Sequence, residues 1–144
     1  LQPLMAQPHA ISVSPGGGSF VSACNGENLV LFSLALGTGA GERFQATDFP
    51  NARGAAHRGV ARSVDHDPRG GRVVSVSGDD GSSNLERNEI RLWRTSDRLG
   101  LWSAQNRPKR LDSVVFDATG TQLLVGTSGG AELWDLSALE DPGE

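Results

Sequence analysis

The chain has a single cysteine in 144 residues, Cys24, so no intrachain disulfide can staple the fold, and that usage suits a reducing, cytoplasmic setting. No apolar run comes near the roughly 18 residues of a membrane span, and the N-terminus lacks the charged-then-apolar pattern of a secretion signal. Basic residues are outnumbered 13 to 17, and a net charge of −4 removes the electrostatic case for nucleic acid or a membrane surface as partner. The phosphate-cradling pattern G-x-x-x-x-G-K is missing. GDDGSSNLERNE, from Gly78 to Glu89, offers oxygen ligands but lacks the D-x-D-x-D-G spacing of a calcium loop. Glycine is plentiful, at 19 residues with 7 prolines, as in a chain of many turns, and 37% hydrophobic with 21% charged is ordinary for a globular domain.

The chain repeats itself. With Pro15, Pro68 and Ala118 in one column, AISVSPGGGSFVSAC, SVDHDPRGGRVVSVS and SVVFDATGTQLLVGT run in parallel without a gap. Gly17, Gly70 and Gly120 then coincide, as do Ile11, Val64 and Val114. Each copy closes on an apolar run ending in an aromatic residue: LVLF at Phe32, IRLW at Trp93 and AELW at Trp134. From column to aromatic is 17, 25 and 16 residues, so the middle copy carries about eight extra within SSNLERNE, a surface insertion.

In the middle copy, residues 62–67, 72–77 and 89–94 read as strands separated by turns at Pro68, Gly70 and Gly71 and at Asp79, Asp80 and Gly81. Residues 43–46 and 99–103 read as half-polar outer strands, and DFPNARGAAHRG (48–59) as a loop. Residues 1–7 would supply a lone edge strand. After Trp134-Asp135-Leu136 only a short acidic tail, 137–144, remains, so the third copy lacks a fourth strand.

LWDL at Leu133–Leu136, RLWR at Arg91–Arg94, S-V-x-x-D-P-x-G from Ser63 and GDDG at Gly78–Gly81 resemble the WD-repeat β-propeller family, over about 125 of the 144 residues. The resemblance implies an all-β fold: β-propeller blades of four-stranded antiparallel sheets, three WD-type repeats in an incomplete ring. The 144 residues would form one partial domain, with blades at about 9–46, 60–103 and 111–136. The family's buried hydrogen-bond network transfers fully to the second copy, as His57, Ser75, Asp79 or Asp80, and Trp93. The first copy has Phe32 for the tryptophan, and the third has Val125 for the serine and Gly129-Gly130 where the aspartate belongs.

His57, Ser75 and Asp79 are also the residue types of a catalytic triad, but the repeat assigns them to structure. Asp65-His66-Asp67 does not read as a metal site, because on a strand the two carboxylates face one way and the imidazole the other. Arg107, Lys109 and Arg110 read as a solvated face. No enzyme activity, cofactor or metal is expected. The resemblance implies a non-catalytic protein-interaction scaffold whose contact loops would carry Phe49, Arg53 and Arg58, and Leu85, Glu86 and Arg87. Three blades leave the two end faces open, to be covered by further blades of a longer chain or by a second copy. Leu1 in place of an initiator Met favours the longer chain, and the alternative function is then the regulatory C-terminal segment of a signalling enzyme whose catalytic domain lies upstream.

Overall fold

A computed structural model describes residues 8–24, 28–33, 41–49, 51, 55–78 and 87–137. Among them there is no α-helix. Eleven strands form three antiparallel meanders. Sheet 1 comprises β1 (Pro8–Val13), β2 (Ser19–Cys24), β3 (Asn28–Ser33) and β4 (Glu42–Arg43) in sequence order. Sheet 2 comprises β5 (Ala61–His66), β6 (Arg72–Ser77), β7 (Glu89–Arg94) and β8 (Leu99–Ala104). Sheet 3 has β9 (Leu111–Phe116), β10 (Gln122–Thr127) and β11 (Gly130–Asp135), three strands among the described residues.

The first hairpin of each sheet turns in the same way. Ser14, Asp67 and Asp117 donate their N–H groups to the carbonyls of Ser19, Arg72 and Gln122, and their own carbonyls accept from Gly17, Gly70 and Gly120. Those three glycines have φ of 75°, 82° and 74°, a region that costs any residue with a Cβ, which is why glycine recurs in this column. Asp67 adds its carboxylate, which accepts from Arg69 and Arg72, and both guanidinium groups also reach the Gly120 carbonyl, clasping the turn of sheet 3 to that of sheet 2.

Sheet 2 lies between the other two. One core joins it to sheet 1 through Val21, Ala23, Leu29, Phe44, Val64, Val73 and Trp93. The other joins it to sheet 3 through Val74, Val76, Ile90, Leu92, Val114, Phe116 and Leu123. The strand patterns follow from this position. Val73 through Ser77 of β6 are all buried because both faces are covered, whereas on β10 Leu123 and Val125 are buried and Leu124 between them is exposed.

The innermost strands are also linked by hydrogen bonds. Ser12 Oγ accepts from the His66 N–H at 3.0 Å, and Asp65 Oδ2 accepts from the Phe116 N–H at 2.7 Å. Ser12 and Asp65 share one repeat column, and His66 and Phe116 share the next, so one device is used twice. Burial pushes the Asp65 carboxyl upward, opposed by the Phe116 N–H. Asp65→Ala leaves that amide unpaired at the joint and is expected to cost about 1–2 kcal/mol in a urea titration. A change below about 0.3 kcal/mol would show that the bond adds nothing.

The outer strand of sheet 1 is shorter than the expected 43–46. Phe44 N–H still reaches the Leu29 carbonyl, but Ala46 N–H turns away to the Ala55 carbonyl. Asn51 holds that excursion, donating from Nδ2 to the Ala46 and Ala55 carbonyls and accepting the Ala55 N–H at Oδ1. The stretch expected as a plain loop is therefore tied to the sheet 1 side of the core, with Ala55 and Ala56 buried. The expected edge strand at 1–7 lies outside the described residues.

Candidate functional site

Strand β7 places Glu89, Arg91 and Trp93 on the face toward sheet 1, and Ile90 and Leu92 on the face toward sheet 3, as strand alternation requires. Three polar side chains at 0% exposure, Ser75, His57 and Glu89, run on from Trp93 there. Trp93 Nε1–H donates to Ser75 Oγ at 3.0 Å. Ser75 Oγ lies 2.7 Å from His57 Nε2, and His57 Nδ1 lies 2.9 Å from Glu89 Oε1. One assignment satisfies every group: Ser75 donates its hydroxyl hydrogen to Nε2, and Nδ1–H donates to Glu89. The imidazole is then neutral, in keeping with burial, which lowers the His57 pKa.

The charge on Glu89 is therefore balanced by arginines. Arg58 donates its backbone N–H and its Nη1–H to the carboxylate, and Arg91 donates from Nε and Nη2 at 3.1 and 3.0 Å. Burial works to raise the Glu89 pKa, yet hydrogen bonds from His57 and Arg91, the charge that His57 carries when it is protonated in acid, and the Arg91 charge bring it from an ordinary 4.5 to about 2. Arg91 Nη2 also reaches Asp48, whose carboxyl burial would raise but Arg91 holds below the usual range. Gln105 completes the cluster, donating to Asp48 and accepting from Arg58.

Of the residues expected in the network, the structure brings His57, Ser75 and Trp93 into one hydrogen-bonded chain. Asp79 and Asp80 lie outside the described residues, and both imidazole nitrogens are occupied by Ser75 and Glu89. Glu89, Arg91, Asp48 and Gln105 were missed by sequence reasoning. The signal for two of them is the alternation E-I-R-L-W: opposite charges two apart on one strand share a face, and with tryptophan on that face they imply a buried ion pair.

The network does not present a nucleophile. Ser75 Oγ is fully buried, has the Trp93 indole on one side and His57 on the other, and offers no approach to a substrate carbon. Beside it a cleft of about 220 Å³ opens between the sheet 1 linker and β7–β8, lined by Asp48, Arg91, Trp93, Trp102 and Ser103 among others. Its ionic groups, Arg91 and Asp48, are paired with each other.

The candidate contact residues are divided. Phe49 is half-buried against the first core, with the Arg58 guanidinium 4.4 Å above its ring and that of Arg91 at 5.6 Å. Phe49 and Arg58 thus make contacts within the chain. The Arg87 carbonyl accepts from Ser77 Oγ, anchoring the C-terminal end of the second loop, while Arg53, Leu85 and Glu86 lie outside the described residues. Asp65, His66 and Asp67 each turn to a different partner, Phe116, Ser12 and the arginines of the turn. Arg107 lies 4.9 Å over the Trp134 ring and pairs with Glu132, and Arg110 pairs with Asp112, so much of the expected solvated basic face is engaged within sheet 3. No protein-family model matches the chain, and a search of curated proteins returns no match.

Proposed function

We propose that the chain is a non-catalytic protein-interaction module built as three consecutive blades of a WD-repeat β-propeller. The observation that carries this reading is where apolar surface stays open. Among the described residues the seven large exposed apolar side chains are Ile11 and Val13 on β1, Leu99 and Leu101 on β8, and Val115, Leu124 and Leu133 on sheet 3. They lie on the two end sheets and on the outer edge of the middle one, where a partner can reach them. Two four-stranded meanders and a three-stranded one, stacked through their first strands with a buried His–Ser–Trp chain in the middle sheet, support the propeller assignment.

The contact loops give the test. Replacing Leu85-Glu86-Arg87 by Gly-Ser-Gly keeps the Arg87 backbone carbonyl that Ser77 uses, so the melting temperature is expected to stay within a few degrees. Affinity capture from the native cell, quantified against the unaltered chain, is expected to lose its specific partners. Undiminished capture by the folded variant would remove this loop from the contact surface.

A further inference from the structure

The inner parts of the two end faces, β1 of sheet 1 and β9–β10 of sheet 3, are open halves of a joint that the chain already makes twice, while Ser22, Val30 and Phe32 farther out on the sheet 1 face are buried within the chain. Toward sheet 2, sheet 1 presents Ser12 on β1 and Val21 and Ala23 on β2; toward sheet 3, sheet 2 presents Asp65, Val74 and Val76 from the same repeat columns. Those columns continue on sheet 3 as Val115, Leu124 and Gly126, with Val115 and Leu124 at 49% and 50% exposure. The receiving faces match in the same way. Val64, His66 and Val73 of sheet 2, and Val114, Phe116 and Leu123 of sheet 3, are buried. Their counterparts on sheet 1 are Ile11, Val13 and Phe20, of which Ile11 and Val13 are 55% and 56% exposed.

We infer that the open face of sheet 3 binds the open face of sheet 1 in a second copy of this chain, head to tail. The inference rests on the propeller-segment reading above and commits it to one partner. Each face is apolar and carries the residues which, in the neighbouring repeats, already pack against the other. Two copies related by a two-fold axis would close both joints at once, so that the second forms as an intramolecular event.

One difference sets the strength of this joint. Val115 stands in the column where Ser12 and Asp65 accept the inter-sheet hydrogen bond, and the donor facing it would be the Val13 N–H. The joint between copies therefore forgoes a bond that both internal joints have. Association is reversible and falls off on dilution.

Light scattering during size exclusion, over about 1–300 µM, tests this, a range that brackets micromolar dissociation constants. The mass is expected to rise from 15.1 kDa toward twice that value. Leu124→Glu and Val13→Lys alter exposed positions, so each variant should melt cooperatively near the parent temperature yet remain a monomer throughout. An equimolar mixture of the two should regain the dimer, because one joint is then unaltered and the other brings Glu at 124 to Lys at 13. A folded parent chain that stays monomeric, variants that assemble as the parent does, or a mixture that stays monomeric would each overturn the inference and leave the interaction-module reading to its capture test. Polydisperse aggregate without a cooperative melt would also overturn the inference, since a second copy would then fail to cover the end faces, and it would leave the interaction-module reading to its capture test.

Discussion

Glu89→Ala is expected to lower the unfolding free energy by about 3–5 kcal/mol, the range for breaking a buried ion pair from one side. The carboxylate is fully buried and accepts from His57, Arg58 and Arg91, so its removal leaves the buried imidazole N–H without an acceptor and takes the buried counter-charge from Arg91 and Arg58, which keep Asp48 and Gln105 as hydrogen-bond partners. With a urea m-value of about 2 kcal/mol/M, the midpoint should fall by roughly 2 M. A loss under about 1 kcal/mol would mean that the arginines find water and the cluster is not closed.

Glu89→Gln isolates the pH dependence. The folded pKa of about 2 lies below the ordinary 4.5, so the unfolded state binds the proton more readily, and stability rises with pH across that interval. The Glu89 contribution is complete above about pH 5 and is lost as pH falls through 4.5 toward 2. His57 acts in the same direction at higher pH. Its pKa is lowered by burial from 6.5, so unfolding takes up a proton and stability declines once pH drops below that value. The Gln variant should retain the decline that begins near pH 6.5 and show a flatter curve between pH 4.5 and 2. Superimposable acid limbs for parent and variant would contradict this assignment of the proton.

Trp93→Ala should cost about 3–5 kcal/mol, the usual range for emptying a buried aromatic site. The indole has 0% exposure and meets Phe44 edge-on at 5.5 Å between ring centroids. Trp93→Phe keeps most of that packing but removes the Nε1–H that Ser75 Oγ accepts, and should cost about 1–2 kcal/mol. The two variants separate packing from hydrogen bonding. Equal losses would mean that the Ser75 bond carries the whole effect and the packing none. Because Trp93 connects to Glu89 through Ser75 and His57, the double variant Glu89→Gln/Trp93→Phe should depart from additivity by about 0.5 kcal/mol or more.

The sheets were legible because turns and strands are local and repeat. The columns on Gly17, Gly70 and Gly120 mark the same hairpin three times, and the spans 72–77 and 89–94 read from alternation match β6 and β7. Outer strands were less legible, since β4 ends where Ala46 exchanges the sheet for Ala55, a choice made by the side chain of Asn51. The acid beside His57 was placed by resemblance in the turn at 79–80. Asp79 and Asp80 lie outside the described residues, and Glu89 meets His57 across a separation of 32 residues, a pairing that no short-range pattern displays. The hydrogen bonds that join the stacked sheets were hidden for the same reason: Ser12 meets His66 and Asp65 meets Phe116 over 54 and 51 residues.

Sheet 2 as the middle layer, joined on both sides through its first strand, is tested most directly by a nuclear Overhauser map of the Leu124→Glu chain, in which contacts between copies are suppressed. The stack requires cross-peaks from Ser12 to His66 and from Asp65 and Val74 to Phe116, with none between sheets 1 and 3. Cross-peaks joining sheet 1 directly to sheet 3 in that monomer, or no cross-peaks between sheets, would contradict it.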